Sequence, residues 1–202
     1  MTNLAFGSKP AVLRCGRCGR FVDWEGSQLQ VVCSCRPHLE LPPVVVREPL
    51  DGERTKVLQL FRRHFRPAQL VAYGKAVNLD EASTLVAESE NEIAGALAWR
   101  LVDGVFHIVA LATDPMWQRA GVGGHLVAEA EMLARGQRRP RILVTITNDN
   151  LPALYFYQRR GYRFAAIVRD SAAAHAAGQD PMGFAGIPIR DEVQLVKELQ
   201  HL

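Results

Sequence analysis

Four cysteines form the most compact set of potential ligands in this 202-residue chain. They read C-x2-C followed by C-x-C, at Cys15, Cys18, Cys33 and Cys35. Each pair places two thiols on one tight turn, and the segment between the pairs, with Glu25-Gly26 at its bend, is typical of a hairpin. Four thiolates presented in this way suit tetrahedral Zn(II), with His38 as an alternative to one of them. A reducing cytosol disfavours disulfides instead.

The expected role of this zinc is structural. Four protein ligands leave no open coordination position for catalysis, and about 40 residues cannot bury a sufficient core without a metal. An alternative is that the zinc knuckle also recognises a protein or RNA partner, through Arg14, Arg17, Arg20 and Trp24. Three prolines within 37–43 mark a boundary, so we expect a zinc-ribbon-like extension and linker at 1–43 and the main domain at 44–202.

A glycine-rich loop is the second chemical signal. Gln118-Arg119-Ala120-Gly121-Val122-Gly123-Gly124 lies between a predicted strand ending at Asp114-Pro115 and an amphipathic helix. Glycines let the backbone approach a ligand, and successive N–H groups with the helix dipole attract an anion such as a pyrophosphate. The alternative is a tight turn without a ligand. No Gly-Lys-Ser/Thr follows, which excludes a nucleoside triphosphate P-loop, and the lack of G-x-G-x-x-G disfavours a dinucleotide site.

Hydrophobic periodicity and turn residues predict the elements that must position this loop. The predicted strands are 44–47, 84–88, 92–102, 105–113, 141–147 and 162–169. The predicted helices are 53–65, 122–136 and 152–160, with a further short helix in 68–78. Glu90-Asn91 and Asp103-Gly104 are hairpin turns between consecutive strands. The series indicates an α/β domain whose mixed sheet is antiparallel first and parallel later.

Two separated motifs make this sequence similar to the GNAT superfamily of acyl-CoA N-acyltransferases. The segment from Gln118 to Gly123 fits the family signature Q/R-x-x-G-x-G/A, which follows the fourth strand. The segment from Asn150 to Tyr162 is similar to the family's N-x-x-A-x-x-x-Y-x-x-x-G-F/Y. The resemblance covers the main domain and leaves the cysteine extension outside. It implies a mixed, mostly antiparallel sheet flanked by helices, with a last strand within 191–199.

The resemblance also implies roles for particular residues. The strand edge at Leu111 and Thr113 would pair with the pantetheine arm of CoA, and Asn150 would orient that arm. Tyr157 would protonate the departing CoA thiolate, because direct attack by an amine expels a thiolate and a nearby hydroxyl can donate to it. The alternative for Tyr157 is a core aromatic residue with a wet hydroxyl. The CoA pyrophosphate would be held by the backbone amides of Gln118, Arg119, Ala120, Gly121, Val122, Gly123, Gly124 and His125.

The general base has several candidates. Glu88 lies late in the second predicted strand, where a water chain could connect it to the attacking amine. His107 and Asp114 are alternatives near strand ends, and all three also fit surface or turn positions. The loop before the last strand is the expected place for acceptor specificity.

The sequence as a whole predicts an acetyl-CoA-dependent N-acetyltransferase that acts on a primary amine, of a small molecule or a peptide, by direct attack in a ternary complex. The alternative is a non-catalytic CoA-binding module whose zinc knuckle contacts a protein or RNA partner. The net charge of +3 does not imply nucleic-acid binding by itself. No apolar run reaches the roughly 20 residues that cross a bilayer, and no secretory signal is recognisable, so the expected location is cytoplasmic.

Overall fold

The computed structural model describes residues 13–14, 21–22, 44–65, 70–72, 75–118, 120–172 and 182–199. Two small ribbons pair β1 (Leu13–Arg14) with β2 (Phe21–Val22) and β4 (Val71–Ala72) with β5 (Lys75–Ala76). The main sheet contains β3 (Val45–Arg47), β6 (Ser83–Ser89), β7 (Glu92–Val102), β8 (Val105–Thr113), β9 (Arg141–Thr147), β10 (Arg163–Val168) and β11 (Glu192–Glu198). The helices are α1 (Arg54–His64), α2 (Val122–Gly136) and α3 (Leu151–Gln158).

The main sheet has the strand order β10-β11-β9-β8-β7-β6-β3. Within the described residues its pairings are antiparallel, except that β8 and β9 run parallel. The predicted mixed, mostly antiparallel sheet is therefore confirmed. The expectation that the later strands pair in parallel holds for β8 and β9 alone, because β11 inserts between β9 and β10 and runs antiparallel to both.

Local sequence signals account for most element bounds. The strands 92–102, 105–113 and 141–147 and the helix 122–136 have their predicted limits. Both central residues of each predicted hairpin turn have positive φ, 51° and 63° for Glu90 and Asn91, and 50° and 77° for Asp103 and Gly104. The short helix expected in 68–78 was wrong. The described part of that segment is the β4–β5 ribbon, where the Val77 amide donates to the Leu70 carbonyl at 2.8 Å.

Each face of the main sheet carries its own core. Helix α1 packs on one face through Val57, Leu60 and Phe61, against a surface of β7 and β8 that is rich in alanine. Helices α2 and α3 cover the other face, whose largest buried side chains include Leu97, Phe106, Ile108, Leu126, Ile142 and Leu195. Burial on both faces fixes the register of the central strands, because a slip by one residue would exchange the two cores.

Gly95 sets the distance between α2 and the sheet. A Cβ at this position would meet Val122 Cγ1 at 2.8 Å and the Ala112 carbonyl oxygen at 2.9 Å. Contacts this short do not occur for real Cβ atoms, so the missing side chain lets the start of α2 lie directly on β7. The N-terminus of α2 is thereby held beside the ends of β7 and β8.

An ion triad ties the first strand of the main sheet to its neighbours. Arg47 on β3 donates from Nε to Glu88 Oε2 at 2.7 Å, and from Nη1 and Nη2 to the Glu53 carboxylate at 2.7 and 2.9 Å. The hydrogen bonds from Arg47 lower the pKa of Glu53 to about 2. Glu53 is the residue before α1, so the triad joins β3, β6 and the start of that helix.

Candidate active site

The parallel pairing of β8 and β9 is short. It joins Phe106 to Ile142, His107 to Leu143 and Ile108 to Val144. Beyond these pairs, the described residues of the two strands separate toward Thr113 and Thr147. A cleft of about 1120 Å³ opens between them, lined by both strands, by the start of α2 and by α3.

A β-bulge explains the separation. Ala98 pairs with Ala110 and Trp99 with Ile108, so Val109 is an extra residue in β8. A bulge bends its strand and increases the local twist. β9 has no such irregularity against β11, so β8 bends away from a straight neighbour.

The bend leaves the backbone of Leu111 and Thr113 directed into the cleft. The Asp114 amide donates to the Ala94 carbonyl at 2.9 Å, which directs the backbone of Asp114 toward β7. Backbone direction alternates along a strand, so the N–H and C=O groups of Leu111 and Thr113 point the other way, toward β9. Both residues line the cleft, and the strand edge predicted to receive an extended ligand is open there.

The loop before α2 supplies free amide donors. Gly121, at φ 86°, precedes the helix, and its carbonyl accepts from the amides of Gly124 and His125 at 2.8 and 3.2 Å. The amides of Gly121, Val122 and Gly123 donate to no carbonyl within the described residues. Three consecutive donors at a helix N-terminus are suited to an anion.

The backbone amides predicted to hold the pyrophosphate differ in their hydrogen bonds and in whether their residues line the cleft. The amides of Gln118 and Ala120 donate to the Pro115 and Trp117 carbonyls at 3.4 and 3.2 Å, although both residues line the cleft. Gly124 also lines it, while His125 is exposed and is not among the lining residues. Arg119 lies outside the described residues.

Arg160 is a cleft residue to which the sequence interpretation gave no role. Its Nη1 donates to the Phe156 carbonyl at 3.0 Å, and its Cζ lies 3.7 Å from the centre of the Phe156 ring. A Cβ added to Gly124 would meet Arg160 Nη2 at 2.7 Å, so the guanidinium lies against the first turn of α2. Burial lowers the pKa of Arg160, although an arginine stays charged. A desolvated cation beside free amides favours an anionic ligand.

The sequence contained one signal for this placement. Arg160 follows Phe156 by four residues, a spacing that puts two side chains on the same face of a helix. The family pattern assigns no residue type to this position.

Three consecutive polar residues after β9 hold the other side of the cleft. Asn150 lines the cleft, and its Oδ1 accepts from the Ala153 amide at 3.1 Å and caps α3. Asp149 is buried and accepts from the Phe184 amide at 3.1 Å and from the Thr147 hydroxyl. Asn148 accepts from the amides of residues 190 and 191 at 2.9 and 3.0 Å. The sequence interpretation assigned only Asn150.

Tyr157 lines the cleft from the last turn of α3. Its side chain is 2% exposed and packs edge-on against the rings of Phe156 and Tyr162, with centroids 5.0 and 5.2 Å away. Burial raises the pKa of the Tyr157 phenol, which keeps the hydroxyl protonated at neutral pH. Tyr155 is 44% exposed on the same helix, and its hydroxyl accepts from Arg159 at 3.0 Å.

The three candidate bases lie in different surroundings. Glu88 is held by two nitrogens of Arg47 and is not among the residues that line the cleft. Asp114 accepts from the Met116 amide at 3.0 Å and caps a short 3₁₀ turn. His107 is buried on β8, with Nε2 2.6 Å from Oγ1 of Thr145, a residue that does line the cleft.

The His107 imidazole belongs to a buried polar group that spans β8, β9 and β11. Burial lowers the pKa of His107 to about 4, although the nearby Glu192 carboxylate opposes this shift, and Arg100 adds to it. Gln194 donates to Glu192 at 2.6 Å. At neutral pH the imidazole is therefore uncharged.

The predicted zinc ligands Cys15, Cys18, Cys33 and Cys35 lie outside the described residues, as does the predicted alternative ligand His38. The residues that the structure does describe contain no group of three or more His, Cys, Asp or Glu side chains placed to bind a metal. In the same residues no helix is both long and apolar enough to span a membrane.

Comparison with known proteins identifies relatives for the main domain. Residues 54–162 match the family described as acetyltransferase (GNAT) family. The uncharacterised protein YxbD of Bacillus subtilis (strain 168) is 31% identical over 148 residues, which cover 71% of this chain and 92% of YxbD. Blasticidin-S acetyltransferase of Streptomyces morookaense is 30% identical over 123 residues, 61% of this chain and 85% of that enzyme. A Bacillus subtilis acetyltransferase solved in complex with CoA is similar to this fold with a TM-score of 0.63 and 24% sequence identity, and the match covers 80% of this chain and 100% of that one.

His107→Gln is expected to reduce the fall in the free energy of unfolding between pH 6.5 and pH 4. The unfolded chain takes up a proton at His107 near pH 6.5, whereas the folded chain does so only near pH 4. Between these values the unfolded state binds more protons, so the free energy of unfolding falls as the pH falls, by about 3 kcal/mol in total. Urea unfolding at a series of pH values measures this loss in the wild type and its absence in the variant. If the free energy of unfolding depends on pH in the same way in the wild type and the variant, folding does not disfavour the charged imidazole of His107.

Proposed function

This chain belongs to the acetyltransferase (GNAT) family, and we propose that it moves an acetyl group from acetyl-CoA directly to a primary amine while both substrates are bound. The observation that carries the proposal is the meeting of three features in one cleft. They are the open edge of β8, the free amides at the start of α2 and the buried hydroxyl of Tyr157. Each suits a different part of the thioester substrate.

The donors in the cleft fit the chemistry of CoA. The backbone of Leu111 and Thr113 offers N–H and C=O groups to the amides of an extended pantetheine arm, as an added strand would. The amides of Gly121, Val122 and Gly123 can bind the pyrophosphate, with Arg160 as a cation beside them. Asn150 uses Oδ1 to cap α3, which leaves its NH₂ group for the pantetheine arm.

Acetyl-CoA supplies a thioester that is activated toward a neutral amine. The amine forms the new amide bond at the acetyl carbon, and the bond to sulfur breaks with its electron pair on sulfur. We assign donation of a proton to that sulfur to Tyr157, whose hydroxyl is protonated at neutral pH and whose ring is held by Phe156 and Tyr162. The buried ring keeps the donor in one position without reorganisation.

The attacking amine must also lose a proton. Of the three candidate bases, His107 is connected to the cleft wall through its contact with Thr145. Glu88 is less suited to this role, because Arg47 binds its carboxylate away from the cleft. We therefore assign proton removal to the Thr145 side of the cleft.

The acceptor is proposed to be the amine of a small molecule or a peptide. The similarity to blasticidin-S acetyltransferase, at 30% identity over 85% of that enzyme, supports a small molecule. Specificity is assigned to the loop before β11, where the described Phe184 is 51% exposed and is anchored by Asp149. His175 and Asp180, which belong to the same loop, lie outside the described residues.

Residues 1–43 are proposed to form a separate extension that binds one structural Zn(II). The support is the C-x2-C and C-x-C spacing of Cys15, Cys18, Cys33 and Cys35, together with the family match, which begins at residue 54. The acetyl-transfer chemistry is assigned entirely to 44–202.

Calorimetric titration with acetyl-CoA tests the CoA site. A Cβ at Gly123 would lie 3.5 Å from the Phe156 ring, an ordinary contact, so a side chain is tolerated there. Gly123→Glu places a carboxylate in the first turn of α2, where the helix dipole favours it but a pyrophosphate would be repelled. We expect the wild type to bind acetyl-CoA and the variant to bind it at least about tenfold more weakly, a loss of about 1.4 kcal/mol.

Gly123→Gln is the matched control, because it has nearly the same size and no charge. It should keep more affinity than the glutamate variant. Equal affinities of the two variants would place the pyrophosphate elsewhere. A folded wild-type protein that binds no acetyl-CoA would overturn the proposed function.

Tyr157→Phe tests the proton donor. Loss of the hydroxyl should lower kcat by about 10²-fold and leave the affinity for acetyl-CoA nearly unchanged, since a general acid acts in the transition state. Steady-state rates with a small amine, measured by release of free CoA thiol, give kcat directly. Tyr162→Phe is the control, because its ring packs against Tyr157 but does not line the cleft. Full activity of Tyr157→Phe would show that another group protonates the thiolate.

Metal analysis of the purified full-length protein tests the extension. We expect about one zinc per chain, and its loss when Cys15 and Cys33 are both replaced by serine, because one ligand is then missing from each pair. Acetylation of a small amine should persist in that variant. A zinc-free protein in which all four thiols react with a thiol reagent would contradict the proposed site.

A further inference from the structure

His64 lines the cleft and has no role in the steps assigned above. It is the last residue of α1 and is half-buried. Its Nδ1 lies 3.1 Å from the carbonyl oxygen of Leu60, one turn earlier in the helix. A carbonyl oxygen can only accept a hydrogen bond, so Nδ1 carries the proton of the neutral ring and Nε2 holds a lone pair.

The chemistry of His64 differs from that of the other side chains in the cleft. Within the described residues, the lining contains no aspartate, glutamate, lysine or cysteine, and His64 is its single histidine. The other ionisable side chains of this lining are tyrosines and arginines, which are ordinarily protonated near neutral pH. An imidazole can be neutral there and can take up a proton. Glu88, His107 and Asp114 are not among the lining residues.

The cleft opens to both faces of the main sheet, and His64 lies on the face opposite to Tyr157. Val144 and Ile146 of β9 belong to the core beneath α2 and α3, together with Tyr157. Side chains alternate along a strand, so Thr145 points to the other face, which α1 covers. Thr145 lines the cleft as well. The assigned proton donor and His64 therefore approach the cleft from opposite faces.

Contacts of the last turn of α1 hold His64 in position. The Phe65 amide donates to the Phe61 carbonyl at 2.9 Å, which continues the helical hydrogen bonds past His64. Arg63 Nη2 lies 3.8 Å from Asp114 Oδ2. This ion pair is largely exposed and contributes little stability, but it places the end of α1 beside the residue that follows β8.

We propose that His64 is the general base of the reaction, a role that rests on the acetyl transfer proposed above. As the amine forms its bond to the acetyl carbon, its nitrogen passes one proton to Nε2 of His64, and the ring becomes an imidazolium. The bond from carbon to sulfur breaks with its electron pair on sulfur, which receives the proton of Tyr157. The imidazolium then releases its proton to water and Tyr157 regains one, so one proton moves in total from nitrogen to sulfur.

The end of α1 suits the charge that His64 gains. The last carbonyl groups of a helix carry partial negative charge and stabilise a cation in the last turn. The Leu60 carbonyl accepts from Nδ1 in both protonation states of the ring. Other charged side chains lie in the same turn, after β8 and in the α3 wall of the cleft. They are Arg62, Arg63, Asp114, Arg159 and Arg160.

Two substitutions of equal size test the proton transfer. His64→Gln keeps an N–H group that can donate to the Leu60 carbonyl but takes up no proton, whereas His64→Glu offers a carboxylate that can. Rates are measured on the full-length protein by release of CoA thiol, with the small primary amine that the wild type acetylates fastest. We expect kcat to fall by about 10²-fold in His64→Gln and by less in His64→Glu. The affinity for acetyl-CoA, measured by calorimetry, should not change.

The pH dependence separates a base from a residue that only packs. Ionisation of the free amine affects every variant equally, so it cancels in the ratio of the wild-type kcat/KM to that of His64→Gln. This ratio should rise with pH through the range in which an imidazole loses its proton, and then become constant. Arg62→Gln is the control, because Arg62 is exposed in the same turn and does not line the cleft. It should keep the wild-type rate.

The outcomes distinguish this role from the proposed function. If the wild type acetylates amines and His64→Gln is equally fast, His64 is not the base, and the proposed function stands. Equal rates of His64→Gln and His64→Glu at every pH would also overturn the role, because the loss would then come from packing. A wild type that neither binds acetyl-CoA nor acetylates any amine would overturn the proposed function, and the role of His64 with it.

Discussion

The parallel pairing between β8 and β9 runs from Phe106 to Ile108 and then ends, and the cleft depends on that ending. The bulge at Val109 turns β8 away from a β9 strand that continues straight against β11. Among the described residues, the backbone groups that would have closed a parallel ladder have no neighbouring strand, and they form an edge inside the sheet. An extended ligand with amide groups can complete that ladder. A fully paired sheet would have no room for it.

Close packing on both sides then places the other groups at this gap. Gly95 lets the start of α2 lie on β7, which brings the free amides of Gly121 to Gly123 to the same end of the sheet as the open strand. Three consecutive side chains each accept hydrogen bonds from a different segment. Asn148 binds the residues before β11, Asp149 binds the turn at Phe184, and Asn150 binds the start of α3. The start of the helix that carries Tyr157 is capped by Asn150, which accepts a hydrogen bond from the Ala153 amide. Groups held on rigid elements keep their geometry without reorganisation.

Much of this arrangement was predictable because its signals are local. The hairpin turns at Glu90-Asn91 and Asp103-Gly104 are pairs that tolerate positive φ, and the helix 122–136 has an apolar stripe of the right period. The short helix expected in 68–78 failed because its apolar residues fit either period, and the Leu70–Val77 pairing decided for strands. The position of β11 between β9 and β10 was also beyond local reasoning, since it depends on pairings more than 20 residues apart.

The sequence by itself determined most of the helices and strands and that a glycine-rich loop starts α2, because these features follow from backbone preferences and periodicity within a few residues. The resemblance to the family added a second motif, which contains Asn150 and Tyr157. Only the tertiary structure decided that Glu88 turns to Arg47, that Arg160 lies against Gly124, and that His107 meets Thr145 next to the cleft. A charged or polar side chain takes the partner that desolvation and geometry make available, and that partner is distant in the sequence.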